Sequence, residues 1–199
     1  MAPSVGLTLI APTKENAMTT SASATAVELD RERTDLLETL RQHRWFFTFT
    51  VQGLTDEQAL QRPTVSELTL AGLVHHVADT EASWAKFIVD GPAGMAAEAE
   101  FWMDPANDVD PASRFRLREG QTLAEALEKY AEIAARTDSI VGSLPSLDAD
   151  HELPPAPWFE PGKRWSARRV LLHLIAETSQ HAGHADILRE SLDGQKTMG

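Results

Sequence analysis

The chain has 199 residues, no cysteine, and 30 acidic against 18 basic side chains, giving a formal charge of −12. That length suits one sizeable core with a tail, and the acidic balance repels phosphate backbones and anionic membranes. Without cysteine there is no disulfide, no thiolate ligand and no protein-borne thiol nucleophile, so any thiol chemistry must import its thiol. No apolar run approaches the ~20 residues of a membrane span, and the N-terminus lacks a basic segment followed by an apolar one. A cytoplasmic protein without nucleic-acid or membrane partners is expected. The only basic cluster along the chain is Lys163, Arg164, Arg168 and Arg169.

Residues 1–27, rich in Ala, Ser and Thr and without periodicity, read as a flexible tail ahead of a single domain over 28–199. From Glu28 to Gln52, Leu36, Leu37, Leu40, Trp45, Phe46 and Phe49 recur at spacings near three and four, which predicts a long amphipathic helix stopped by Gly53. Thr55 with Gln58 forms a capping box for a short helix that Pro63 closes. A second long helix is predicted from Leu68 or Leu70 to Val89, capped by Ser66 or Thr69 and stopped by Gly91-Pro92. Residues 93–120 are a polar, proline-containing connection with room for one short helix. The third long helix starts at Thr122, with Glu125 completing a capping box, and runs to Val141 ahead of Gly142 and Pro145. Residues 145–163 are proline-rich and read as an irregular crossover. A fourth helix, capped by Ser166, ends near Leu192 to Gly194. Four long helices with unequal connections and almost no strand signal predict an all-α four-helix bundle with long crossovers.

The fourth helix carries too much polarity for its apolar stripe. At ~100° per residue, His173, Glu177, His181 and His184 fall within roughly an 80° arc beside Val170, Leu174 and Leu188. Burying these groups bare costs several kcal/mol each, so they require a metal, a hydrogen-bond network or a ligand. His173 and Glu177, and again Glu177 and His181, are four apart and project over one turn. A third ligand has to come from a facing helix, and the second long helix offers His75 and His76. His76 lies at the edge of the face formed by Leu70, Leu73, Val77, Trp84, Phe87 and Ile88, while His75 points about 100° further round, which favours His76. A lone helical histidine is more often a hydrogen-bonded core group than a ligand. Spacing alone therefore leaves a metal centre and a structural network as equal alternatives. His43 and His151 read as ordinary, and the aromatic residues of the first helix as core. No P-loop, GxGxxG, HExxH or GxSxG pattern is present.

LVHHVADTEASW, residues 73–84, resembles the second-helix motif of the DinB-like metal-binding four-helix-bundle superfamily, where a histidine precedes an acidic residue by five and a tryptophan by eight. The match selects His76, with Glu81 and Trp84. HLIAETSQHAGHADILRE, residues 173–190, resembles that superfamily's fourth-helix motif, with Glu177 and His181 at the ligand positions and Gly183 as the matching glycine. Many relatives have histidine where this chain has Glu177. The glutamate form resembles mycothiol-dependent maleylpyruvate isomerases and an actinobacterial branch of mycothiol transferases, over residues 30–194.

The resemblance implies a divalent metal on His76, Glu177 and His181, with zinc the expected ion and iron(II) or nickel(II) as alternatives. It implies transfer or addition of a low-molecular-weight thiol, mycothiol as co-substrate, to an electrophilic small molecule. The alternatives are an isomerase or hydrolase on the same metal, or a non-catalytic metal- or ligand-binding bundle. His173 and His184 match no ligand position and are expected to orient a ligand or move a proton. Arg168, Arg169 and Arg189 are expected to hold an anionic group of the thiol or substrate. A homodimer through the outer faces is compatible with the sequence, although no stripe demands it.

Overall fold

A computed structural model of the chain describes residues 29–96, 100 and 110–197. The tail expected over 1–27 lies outside the described residues, as does part of the connection between the second and third long helices.

Each helix begins where a side chain accepts the first free backbone N–H groups. Asp30 caps α1 (Arg31–Phe49), Thr55 and Gln58 form both halves of a capping box on α2 (Asp56–Ala59), and Thr69 caps α3 (Leu70–Asp90). Thr122 and Glu125 box the start of α4 (Leu123–Ser143), and Ser166 caps α5 (Ala167–Asp193). The helix ends differ modestly from the sequence expectation. α1 gives way after Phe49 to turns in which Thr50, Val51 and Gln52 each donate three residues back, before Gly53 turns the chain at φ 73°. α4 runs through Gly142 to Ser143, because a glycine weakens a helix without breaking it. Two 3-10 turns, Gly91–Met95 and Pro111–Phe115, flank the connection between α3 and α4.

The crossover from α4 to α5 departs most from expectation. It contains two strands, β1 (Asp150–Glu152) and β2 (Arg164–Ser166), paired antiparallel with His151 opposite Trp165. Three-residue strands are too short to show a two-residue alternation, so no periodic signal announces them. The ribbon continues with Leu153 N–H donating to Lys163 O at 2.8 Å, and it closes the proline-rich segment into a loop held against the bundle.

α1 and α3 each pack against both α4 and α5, which places α1 diagonally across from α3 in a DinB-like four-helix bundle. Among the described residues no helix is long and apolar enough to cross a membrane. The core falls into two apolar clusters. Phe47, Leu73, Val77, Tyr130 and Leu188 belong to one, and Leu40, Phe87, Val141, Leu171 and Leu174 to the other. Between them along the helices lies a polar layer. Arg44 of α1 grips Glu81 of α3 with Nε–Oε2 at 3.0 Å and Nη2–Oε1 at 2.5 Å, and donates from Nη1 to Asp138 of α4 at 2.9 Å. Glu81, the acidic residue of the second-helix motif, is only 1% exposed and is spent on this pair.

Arg189 is also structural in its contacts. Its Nη1 donates to the carbonyls of Thr50 and Gln52 at 2.8 and 2.9 Å, its Nε to Asp193 at 3.0 Å, and its Nη2 to Gln195 at 2.5 Å. It thereby satisfies carbonyls left over beyond the C-terminus of α1. Arg168 bridges Glu32 and Asp148, joining the start of α5 to the start of α1. Both guanidinium groups, expected to hold an anionic group, pair in the structure with groups of the bundle itself.

Candidate metal centre

α3 and α5 pack side by side, and their facing stripes bring His76, Glu177 and His181 together so that one ligand atom from each lies within 4.8 Å of the others. His181 Nε2 stands 3.5 Å from Glu177 Oε2, and the His76 and His181 rings meet edge to face with centroids 4.9 Å apart. His181 is 8% exposed; His76 and Glu177 are half-buried. On its other side His76 lies against Phe115, centroid to centroid 4.1 Å. Phe115 reaches it because Gly72 has no side chain: a Cβ there would stand 1.8 Å from the Phe115 carbonyl oxygen.

The electrostatics leave lone pairs available. Burial, reinforced by the nearby His181, pushes His76 down from 6.5 to about 4, so its imidazole is neutral near pH 7. The hydrogen bond from His181, helped by the surrounding imidazoles, holds the Glu177 carboxyl below its ordinary value and keeps it ionised. Two imidazoles and a carboxylate that converge in a half-buried groove fit the nitrogen and oxygen donor set of a divalent transition-metal ion.

The neighbouring histidines divide by contact. His184 Nδ1 lies 3.4 Å from His181 Nδ1. Moving the His181 proton from Nε2 to Nδ1, where His184 Nδ1 accepts it, exchanges the hydrogen bond to Glu177 for an Nε2 lone pair that faces Glu177 and His76. His173 Nε2 is 3.9 Å from Glu177 Oε1, beyond hydrogen-bond reach, and its ring packs edge-on against Trp84 and Trp165 at 5.0 and 5.2 Å. Its pKa is lowered, chiefly by burial. His75 is turned away from the cluster, as the helical angle predicts, yet it is buried and sits 3.3 Å from Asp79. His151, read as ordinary, packs on Phe87 with Nε2 3.3 Å from the Ile88 carbonyl oxygen.

Sequence reasoning missed the cavity beside this cluster. It measures about 370 Å³, and His76, His173 and Glu177 share its lining with Trp84, Trp158, Phe159 and Trp165. Trp84 and Trp165 stack at 4.8 Å with 17° between their planes, and Arg169 lies 4.3 Å over Trp165, where its charge meets the ring face. Arg169 is therefore a buttress of the cavity wall. The available signal was the aromatic content of the crossover, Trp158, Phe159 and Trp165, which the β1–β2 ribbon carries over the α3–α5 groove. Arg114, another lining residue, had no signal at all, because it belongs to a turn whose position depends on tertiary packing.

A DinB-like helical bundle with two imidazoles and a carboxylate on facing helices, opening beside an aromatic cavity, defines the class. The mycothiol-S-transferase family matches residues 35–194, and the chain belongs to that family. A solved structure of a conserved protein from Enterococcus faecalis shares the fold, with a TM-score of 0.55 and 18% identity over 81% of this chain and 97% of that one. No match is found among curated proteins.

Proposed function

We propose that the chain catalyses metal-dependent transfer or addition of mycothiol, or a thiol like it, to an electrophilic small molecule in the cytoplasm. His76, Glu177 and His181 are assigned as the residues that hold the metal. The observation that carries this reading is the convergence of those donors on the wall of an aromatic cavity, in a chain of the mycothiol-S-transferase family that has no cysteine. When bound, a divalent metal with an open coordination position lowers the pKa of an incoming thiol towards neutrality.

The chain's own residues supply the rest. Trp84, Trp165 and Phe159 hold a flat apolar body and exclude water from the reacting atoms. His173, kept neutral by burial, takes the thiol proton on Nε2. The sulfur then forms a bond to the electrophilic carbon. In a transfer the leaving group departs with its electron pair. In an addition the π pair moves to the adjacent carbon, which takes the proton back from His173. With no cysteine in the chain, the electrophile meets no competing protein thiol.

Zinc is the ion assigned to this donor set, with iron(II) or nickel(II) as alternatives. Elemental analysis of protein purified without a histidine tag tests the metal and its identity. Mixing that protein with mycothiol and a chloronitroarene tests the reaction, with the S-aryl thioether of mycothiol, chloride and a proton as expected products. A rate no higher than that of the chelator-stripped protein would rule out the transferase assignment.

A further inference from the structure

Trp84, Trp158 and Trp165 all line the aromatic cavity, but they offer it different surfaces. Trp84 gives one face to Trp165, stacked at 4.8 Å, and is only 7% exposed. Trp165 lies between that ring and the Arg169 guanidinium, 4.3 Å from its centroid, so both of its faces are covered and it turns an edge to the cavity. Trp158 is the opposite case. It lines the cavity yet is 72% exposed, and among the described residues its ring meets only that of Phe159, edge-on at 6.1 Å. Its faces are open.

The backbone around Trp158 explains how so large an apolar ring stays uncovered. Phe159 N–H donates to Ala156 O at 3.0 Å and closes a turn with Trp158 at its third position. Lys163 N–H donates to Glu160 O at 3.0 Å in a second turn, and the bond from Leu153 to Lys163 ties the two ends of the segment together. Phe159 packs inward, edge-on to Trp165 at 5.9 Å, and joins the apolar cluster of Leu171 and Leu174. It anchors the turn and leaves Trp158 at the cavity mouth. The indole is therefore held in place by its neighbours without being packed itself. It is not an isolated surface aromatic, because it continues the cavity lining of Pro154, Pro155 and Phe159, and a ligand in the cavity covers all of them together.

We infer that Trp158 selects the electrophile, by stacking on the open face of a planar, electron-poor ring that bears nitro or carbonyl groups. An indole face is electron-rich and attracts a ring whose own electrons have been withdrawn. The edge that Trp165 turns inward is electropositive and meets the oxygen atoms of the withdrawing substituents. Those substituents also open a ring carbon to attack by a thiolate, so recognition and reactivity pick out the same molecules. The stacking face stands on the ring geometry alone; naming its ligand as the electrophile rests on the transferase reading above.

The test is a calorimetric titration of the chelator-stripped full chain with 1,3-dinitrobenzene and with 1,3-dimethoxybenzene, two flat rings of similar shape and opposite electronics. The dinitro ring is expected to bind about fivefold more tightly, the scale of one aromatic pair. Trp158→Leu should bring that ratio to about one, and Trp158→Phe should retain part of it. Trp45→Leu, which removes an indole 53% exposed on α1 and outside the cavity lining, should preserve it. Because Trp158 packs against so little, its variants should melt with the parent protein, and a melting curve checks that they fold. Equal binding of the two probes by the parent, or binding of neither, would overturn the inference. A ratio that survives Trp158→Leu would overturn it too, because the ring would then lie elsewhere in the cavity, as would a ratio lost equally in Trp45→Leu. No thiol, metal or turnover is involved, so a failed transfer assay leaves this result intact. Conversely, a failed titration leaves transfer to a non-aromatic electrophile untouched.

Discussion

Two groups of buried polar side chains occupy neighbouring turns of the same bundle, and they are built to opposite rules. In the Arg44–Glu81–Asp138 layer a guanidinium is shared between two carboxylates, and hydrogen bonds of 2.5 to 3.0 Å engage each of its three nitrogens. In the His76–Glu177–His181 cluster the gathered groups are acceptors, with burial holding His76 neutral and Glu177 kept ionised. The first group closes its own charge. The second aims lone pairs at a common point, and that is the difference between polarity that specifies a fold and polarity arranged for a ligand.

The largest expected effect breaks the closed layer. Glu81→Gln leaves Arg44 buried and half-paired, and chemical denaturation should show a loss of about 3–5 kcal/mol. Replacing both partners, Arg44→Met with Glu81→Met, should recover much of it, since no uncompensated charge remains. A double variant no more stable than the single one would show that the layer holds the bundle by more than charge closure. Next in size, His76→Ala and His181→Ala should abolish stoichiometric metal binding and lower transfer by more than about a hundredfold. Their chelator-stripped forms should melt within a few degrees of the stripped parent, because the cluster does not close the fold. A large drop in melting temperature of the stripped protein would erase the contrast between the two groups.

How far the sequence reaches can be judged on the same two groups. The α5 stripe is legible because His173, Glu177, His181 and His184 obey a local periodicity, and the caps at Thr69, Thr122 and Ser166 are local signals too. His76 could be chosen over His75 by its angle to the apolar face, and the family motif agreed. The Arg44–Glu81 pair is not legible, because residues 37 apart on diagonal helices are joined only by the packing of the whole bundle. The same holds for Arg189, whose partners on Thr50 and Gln52 are 139 and 137 positions away. The aromatic cavity stayed hidden for a related reason. Its wall is carried by a ribbon of two three-residue strands, and the neighbouring contact of Phe115 with His76 depends on a missing Cβ at Gly72.

That glycine gives an intermediate test. Gly72→Ala puts a methyl group into the Phe115 carbonyl, and relief requires the 3-10 turn to move away from α3. The expected cost is about 1–3 kcal/mol of stability, as for other overpacked core sites. Because Phe115 then leaves His76, the variant should also weaken metal binding, although His76, Glu177 and His181 are all unchanged. Unchanged metal affinity alongside the stability loss would mean that the Phe115 contact only fills space.

The smallest effect probes the support of His181. His184 touches the cluster only through His181, by the 3.4 Å contact between their Nδ1 atoms. His184→Ala removes the partner that fixes the His181 tautomer, and metal affinity should fall about tenfold with one metal still bound per chain. His184→Gln offers an amide oxygen to the same Nδ1–H, so partial recovery is expected, and a purely packing role would not predict it. Loss of the stoichiometry itself would place His184 among the ligands. In that case the acceptor cluster would extend a further turn along α5, away from the aromatic cavity.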